Sequence, residues 1–145
     1  MKVMNLSADS QMYTCNVYLV TGSRNAINDV NTLVDVGRDP SVIDILNNAP
    51  TGVGKKRVEK VILTHSHYDH ASLLPQIRER YNPKVYAYSS SLSGVDFLLK
   101  GGEWLRIGDM MFEVIHTPGH SSDSLCLYCE TVRCLLAGDQ TLVIN

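Results

Sequence analysis

The chain has 145 residues, a formal net charge of −2 and 44% hydrophobic content, enough for one packed domain spanning residues 1–145. That charge gives no electrostatic case for nucleic acid or an anionic membrane surface, and no stretch is apolar for the length of a membrane span. The opening Met1-Lys2-Val3-Met4-Asn5 lacks the apolar segment of a signal peptide, so a cytoplasmic protein without membrane or nucleic-acid partners is expected.

In chain order, residues 12–21 are rich in β-branched and aromatic side chains and close on Gly22, which predicts a strand. Residues 31–36 predict a second strand ending at Gly37, and residues 40–48 a short helix with Pro40 in its first turn. The basic run Lys55-Lys56-Arg57 follows Gly52-Val53-Gly54 and reads as a solvated loop. A buried-type strand is expected over 58–64. A helix should follow over 71–81, where Leu73, Leu74, Ile77 and Tyr81 recur at helical spacing. Residues 85–88 read as a strand and 91–99 as a helix. After Gly101-Gly102, the segments 104–107, 110–115, 124–129 and 133–137 are all strand-like. Strands, then alternating strand and helix, then a run of strands, define a mixed α/β (α+β) sandwich with helices packed outside sheets.

Four cysteines are too few for a disulfide scaffold. Cys126 and Cys129 form a C-x-x-C, but on a strand residues three apart face opposite ways, so the pair should not converge on one ion. Together with Cys15 and Cys134 they read as core residues.

All five histidines fall in two short stretches, each directly after a predicted strand. The first is His65-Ser66-His67-Tyr68-Asp69-His70; the second is His116-Thr117-Pro118-Gly119-His120. Loops at strand ends are where side chains converge on a site held by a rigid sheet. In extended backbone His65 and His67 point the same way and can grip one ion. Asp69 is placed as the N-cap of the following helix, and the turn there redirects Asp69 and His70 toward a second ion. Pro118-Gly119 suits a type II turn, with Gly119 at positive φ, that would aim His120 back over the strand ends. Asp139, after Gly138 at another strand end, is a candidate to bridge two cations. Asp35 sits likewise at a strand end and is a candidate to orient a ligand loop from behind.

With H-x-H-x-D-H present as His65 to His70, and with Leu33-Val34-Asp35-Val36-Gly37, Thr117-Pro118-Gly119-His120-Ser121 and Ala137-Gly138-Asp139 following in order, the chain resembles the metallo-β-lactamase-fold hydrolases. Within them it is most similar to the hydroxyacylglutathione hydrolase, or glyoxalase II-like, subgroup. The resemblance implies an αββα sandwich. It also implies two zinc ions, with iron or manganese as alternatives: one held by His65, His67 and His120, the other by Asp69 and His70, with Asp139 bridging. Asp69 is in addition the candidate catalytic carboxylate, and His116 is left structural. The implied activity is that of a metal-dependent hydrolase, in which a metal-bound hydroxide cleaves a small-molecule thioester or ester. The alternatives are a mononuclear iron persulfide dioxygenase-like oxidoreductase and a non-catalytic metal-binding module. The flavodiiron pattern usually carries Glu where this chain has His67. Family members supply a further His beyond the Gly-Asp motif, and residues 140–145 contain none. A C-terminally truncated domain is therefore expected, its second half incomplete and its exposed apolar surface favouring homo-oligomers.

Overall fold

In a computed structural model, residues 1–12, 14–66, 68–119, 122–137 and 141–143 are described. Among the described residues, eleven strands form two sheets. The first holds β1 (Lys2–Asn5), β2 (Tyr18–Thr21), β3 (Thr32–Val34), β4 (Lys60–Ile62), β5 (Lys84–Ala87) and β6 (Phe97–Leu98), in that spatial order. Its first three strands run antiparallel, and β3 through β6 run parallel. Parallel neighbours need crossovers, and helices supply two of them: α1 (Ser41–Asn48) between β3 and β4, then α2 (Tyr68–Ala71) and α3 (Leu74–Tyr81) between β4 and β5. The second sheet is an antiparallel meander of β7 (Trp104–Ile107), β8 (Met110–His116), β9 (Leu125–Cys129), β10 (Cys134–Leu136) and β11 (Thr141–Val143).

Two apolar layers hold these parts together. Val42 and Leu46 of α1 and Leu74 and Ile77 of α3 pack on Leu19, Leu33, Val61 and Val85 of the first sheet. The opposite face of that sheet, through Tyr18, Val20, Val34 and Ile62, meets Ile107, Phe112, Val114, Leu125, Leu127 and Leu136 of the second. Strands β2 and β3 are buried at every position because both of their faces are covered. In β9 buried and half-buried residues alternate, so Cys126 and Cys129 face opposite ways, as the strand period requires. Gly108 opens the two-residue turn between β7 and β8 at φ 62, where a Cβ would stand 3.0 Å from the Thr21 carbonyl oxygen. Among the described residues no helix covers the outer face of the second sheet, and none is long and apolar enough to cross a membrane.

Several expectations are corrected by contacts distant in sequence. Only Tyr18–Thr21 of the first predicted strand pairs as strand. Ahead of it, the Ser7 hydroxyl donates to the Cys15 carbonyl and accepts from the Val17 amide, and Thr14 Oγ1 accepts from the Arg38 amide. These side-chain bonds replace the ladder. The helix expected over 71–81 is broken at Leu73. The His70 carbonyl accepts from Val36 and Gly37 instead of from its own helix, and Pro75, in the first turn of α3, has no amide to donate back. Asp69 accordingly lies inside α2 and is not the N-cap of α3, a place taken by Leu73. Residues 91–99 form no helix: Gly94 turns at φ 95, and Phe97–Leu98 extend the sheet beside β5. The side chain of Asp96 fixes that edge by accepting from the Val85 amide and from Arg78. The short strand Thr141–Val143, not foreseen, pairs with β10.

The basic run is not merely solvated. Lys55 Nζ donates to the carbonyls of Ala26 and Asp29, Lys56 Nζ to that of Asn82, and Arg57 to those of Leu46 and Ala49 at the end of α1. These cations bring side-chain donors to carbonyls of loops and of a helix end, where those of Ala26 and Leu46 also accept from the Asp29 and Ala49 amides. At the other end of α1, the Asp39 carboxylate accepts from the Ser41 amide at 3.0 Å. That bond, with help from the Ser41 and Ser10 side chains and against some desolvation, holds Asp39 below the usual carboxylate range. A depressed folded-state pKa contributes stability that is present above the unfolded value and is lost as pH falls through the folded one. In Asp39→Ala, the acid limb of a stability-versus-pH curve should therefore be shallower than in the parent, with the curves differing most above the carboxylate range. Parallel curves would contradict this assignment.

Candidate metal centre

Strand β4 leads out of the sheet through Leu63 and Thr64 into the histidine loop. The loop is anchored to both sheets: the Leu63 amide donates to the Tyr86 carbonyl of β5, and the Thr64 carbonyl accepts from the Leu125 amide of β9 at 2.7 Å. On the neighbouring strand, β3 ends where Asp35 takes the left-handed conformation at φ 62, with Gly37 following at φ 71. A non-glycine residue there is uncommon, and Asp tolerates it better than most. The bend turns the Asp35 carboxylate under the start of the histidine loop.

That carboxylate is fully buried and accepts three hydrogen bonds. The Thr64 amide donates to Oδ1 at 2.8 Å, the Thr64 hydroxyl to Oδ2 at 2.7 Å, and His70 Nδ1 lies 3.0 Å from Oδ2. Thr64 Oγ1 is also 3.3 Å from His65 Nδ1. Both histidines are buried, with ring centroids 3.7 Å apart and planes tilted by 52°. The structure thus brings His65 and His70 together, with Asp35 in the orienting position expected for it. The donor atoms of Cys15, Asp35 and His70 lie within 4.8 Å of one another. Cys15 does belong to the apolar core, as read, but its proximity to Asp35 and His70 was not foreseen. Its signal in the sequence is position: Tyr18 pairs with Val34, so residues just before β2 lie near those just after β3.

Of the other expected ligands, His67, His120 and Asp139 lie outside the described residues, and Asp69 is placed by its backbone in α2. Gly119 is not in the left-handed region, so the type II turn expected at Pro118-Gly119 is not formed as predicted. His116 is engaged elsewhere: its Nε2 lies 2.9 Å from the Ser122 carbonyl oxygen and its ring stacks on Tyr88 at 4.0 Å. Beside His65 a cavity of about 190 Å³ is lined by Thr64, Thr117, Ser124, Leu125, Cys126 and Ala137. A larger hollow of about 470 Å³ along α1, between Met4, Ile45 and Pro50, has no imidazole in its wall.

A protein fold of two stacked sheets, with a histidine loop at the end of a central strand and a buried carboxylate beneath it, is the frame in which known proteins match this chain. The family model of the metallo-beta-lactamase superfamily matches residues 12–93, and the chain belongs to that superfamily. A hydroxyacylglutathione hydrolase of Francisella tularensis subsp. novicida (strain U112) is 37% identical over 87 residues, covering 59% of this chain and 34% of that protein. A probable hydroxyacylglutathione hydrolase of Schizosaccharomyces pombe is 32% identical over 127 residues, covering 84% of this chain and 47% of that protein. The chain thus spans less than half the length of these relatives. Among solved structures, ETHE1 from Myxococcus xanthus superposes with a TM-score of 0.70 at 22% identity, over 89% of this chain and 54% of that one, which shows the shared fold.

Proposed function

We propose that the chain carries the metal centre of a hydrolase that cleaves a small thioester or ester, of the hydroxyacylglutathione kind named for its relatives. The observation that carries this reading is the pair of buried imidazoles, His65 and His70, held in contact above one carboxylate, with His65 lining a small cavity. Two packed imidazoles with an acidic partner behind them suit a divalent cation of the zinc, iron or manganese group. By the resemblance, His65, His67 and His120 would hold one ion, and Asp69, His70 and Asp139 the other. Bound ions of this kind supply Lewis acidity and an activated water near neutral pH.

The chain's own residues do the rest. Asp35 and Thr64 orient the rings, and Leu125 lines the cavity beside His65. The Thr117 and Ser124 side chains offer polar partners to a group entering the cavity. The cavity's volume suits an acyl group rather than a polymer. The test is hydrolysis of S-lactoylglutathione, other acyl thioesters, esters and lactones by the chain loaded in turn with zinc, manganese and ferrous iron. Turnover should vanish with a chelator and return with metal. No turnover of any of them under any metal would refute the hydrolase reading, and oxygen uptake on a persulfide would replace it.

A further inference from the structure

We propose that Thr64 and Asp35 act as a single positioning unit that fixes the tautomer of both His65 and His70, Thr64 serving as the relay to the first ring. This rests on the reading of the two imidazoles as metal ligands. An ionised carboxylate can only accept, so the proton between His70 and Asp35 sits on His70 Nδ1. The Thr64 hydroxyl has one proton, and the bond of 2.7 Å to Asp35 Oδ2 claims it, being charge-assisted and the shorter of its two contacts. Thr64 Oγ1 then faces His65 Nδ1 with a lone pair. Two lone pairs would repel at that distance, so His65 Nδ1 must also carry the proton.

One carboxylate thereby sets both rings to the same tautomer, the first through a hydroxyl and the second directly. The lone pair that each ring offers to a cation is then that of Nε2. Hydrogen bonds of this sort behind a histidine raise ligand affinity by fixing ring and proton together. The unit is itself rigid: Thr64 is tied to Asp35 by its amide and to β9 by its carbonyl, and Asp35 is tied to β4 by its amide, which donates to the Ile62 carbonyl. Removing the Thr64 hydroxyl should release His65 alone. A side chain that merely fills space would release neither ring.

The experiment is nitrogen NMR of the histidine rings in the metal-free full chain, paired with zinc affinity. In the parent both rings should carry the proton on Nδ1. Thr64→Val, nearly the same shape, should give His65 a mixture of tautomers while His70 keeps its own, and should weaken zinc binding by about ten- to a hundred-fold. Thr64→Ser should restore both properties, and Asp35→Asn should release both rings. Parent His65 with its proton on Nε2 would overturn the proposal without recourse to any variant. So would a folded Thr64→Val protein whose His65 tautomer and zinc affinity are unchanged. Tautomers and zinc affinities as described, with no hydrolysis of any substrate, would refute the reaction proposed above while supporting the positioning unit.

Discussion

Asp35→Ala is expected to lower stability by about 3–5 kcal/mol, the range for breaking a buried charge network by removing one partner. Four effects add in the same direction. The Thr64 amide, the Thr64 hydroxyl and the His70 ring lose their acceptor in a place that water does not reach, and each buried unsatisfied donor is costly. The backbone at φ 62 also suits Ala less well than Asp. For a domain of this size the loss corresponds to a fall in Tm on the order of 10 °C. Asp35→Asn keeps an acceptor oxygen and tolerates the left-handed backbone, so its loss should be distinctly smaller. Denaturant melts of the metal-free forms decide the matter without interference from bound ions. A change below about 0.5 kcal/mol in Asp35→Ala, typical of a surface site, would show that the carboxylate is not the keystone of the loop.

The element order and the histidine loop were legible because both depend on local pattern. Alternating residues such as Phe112, Val114, Leu125 and Leu127 mark one face of an antiparallel sheet, and His65 to His70 stand together just after the apolar run Val61-Ile62-Leu63. What was not legible depends on partners far away in sequence. Nothing near Leu73 says that the His70 carbonyl is claimed by Val36 and Gly37, so the helix appeared continuous. Residues 91–99 have enough apolar residues for a helix, yet β5 offers an open edge that draws Phe97 and Leu98 into strand. The basic run looked idle because its acceptors are carbonyls of remote segments. At the site, Asp35 was visible as a polar residue ending a buried strand. The part played by Thr64 was not, because a threonine before a histidine gains its meaning only when Asp35 is beneath it.

A second large effect is expected in the layer between the sheets. Among the described residues Phe112 is the largest fully buried side chain, on the face of β8 that meets the first sheet. Phe112→Ala should destabilise by about 3–5 kcal/mol, because the lost transfer energy is joined by the cavity that a close-packed interior cannot collapse. Its neighbour Met111 points to the other face and is 47% exposed. Met111→Ala should therefore change stability by less than about 0.5 kcal/mol. Thermal or denaturant unfolding of the two variants side by side reads the strand's orientation directly. Comparable losses in both would mean that β8 faces the core with the wrong residues.

The central claim, that the histidine loop is a metal centre, is tested most directly by elemental analysis of the full chain after equilibrium dialysis against zinc. Parent protein, His65→Ala, His70→Ala and His116→Ala should be compared under the same conditions. At least one bound equivalent is expected in the parent, a clear loss in His65→Ala and in His70→Ala, and parental content in His116→Ala, whose ring is engaged with Ser122 and Tyr88. Parental zinc content in both His65→Ala and His70→Ala, or no bound zinc in the parent, would contradict it.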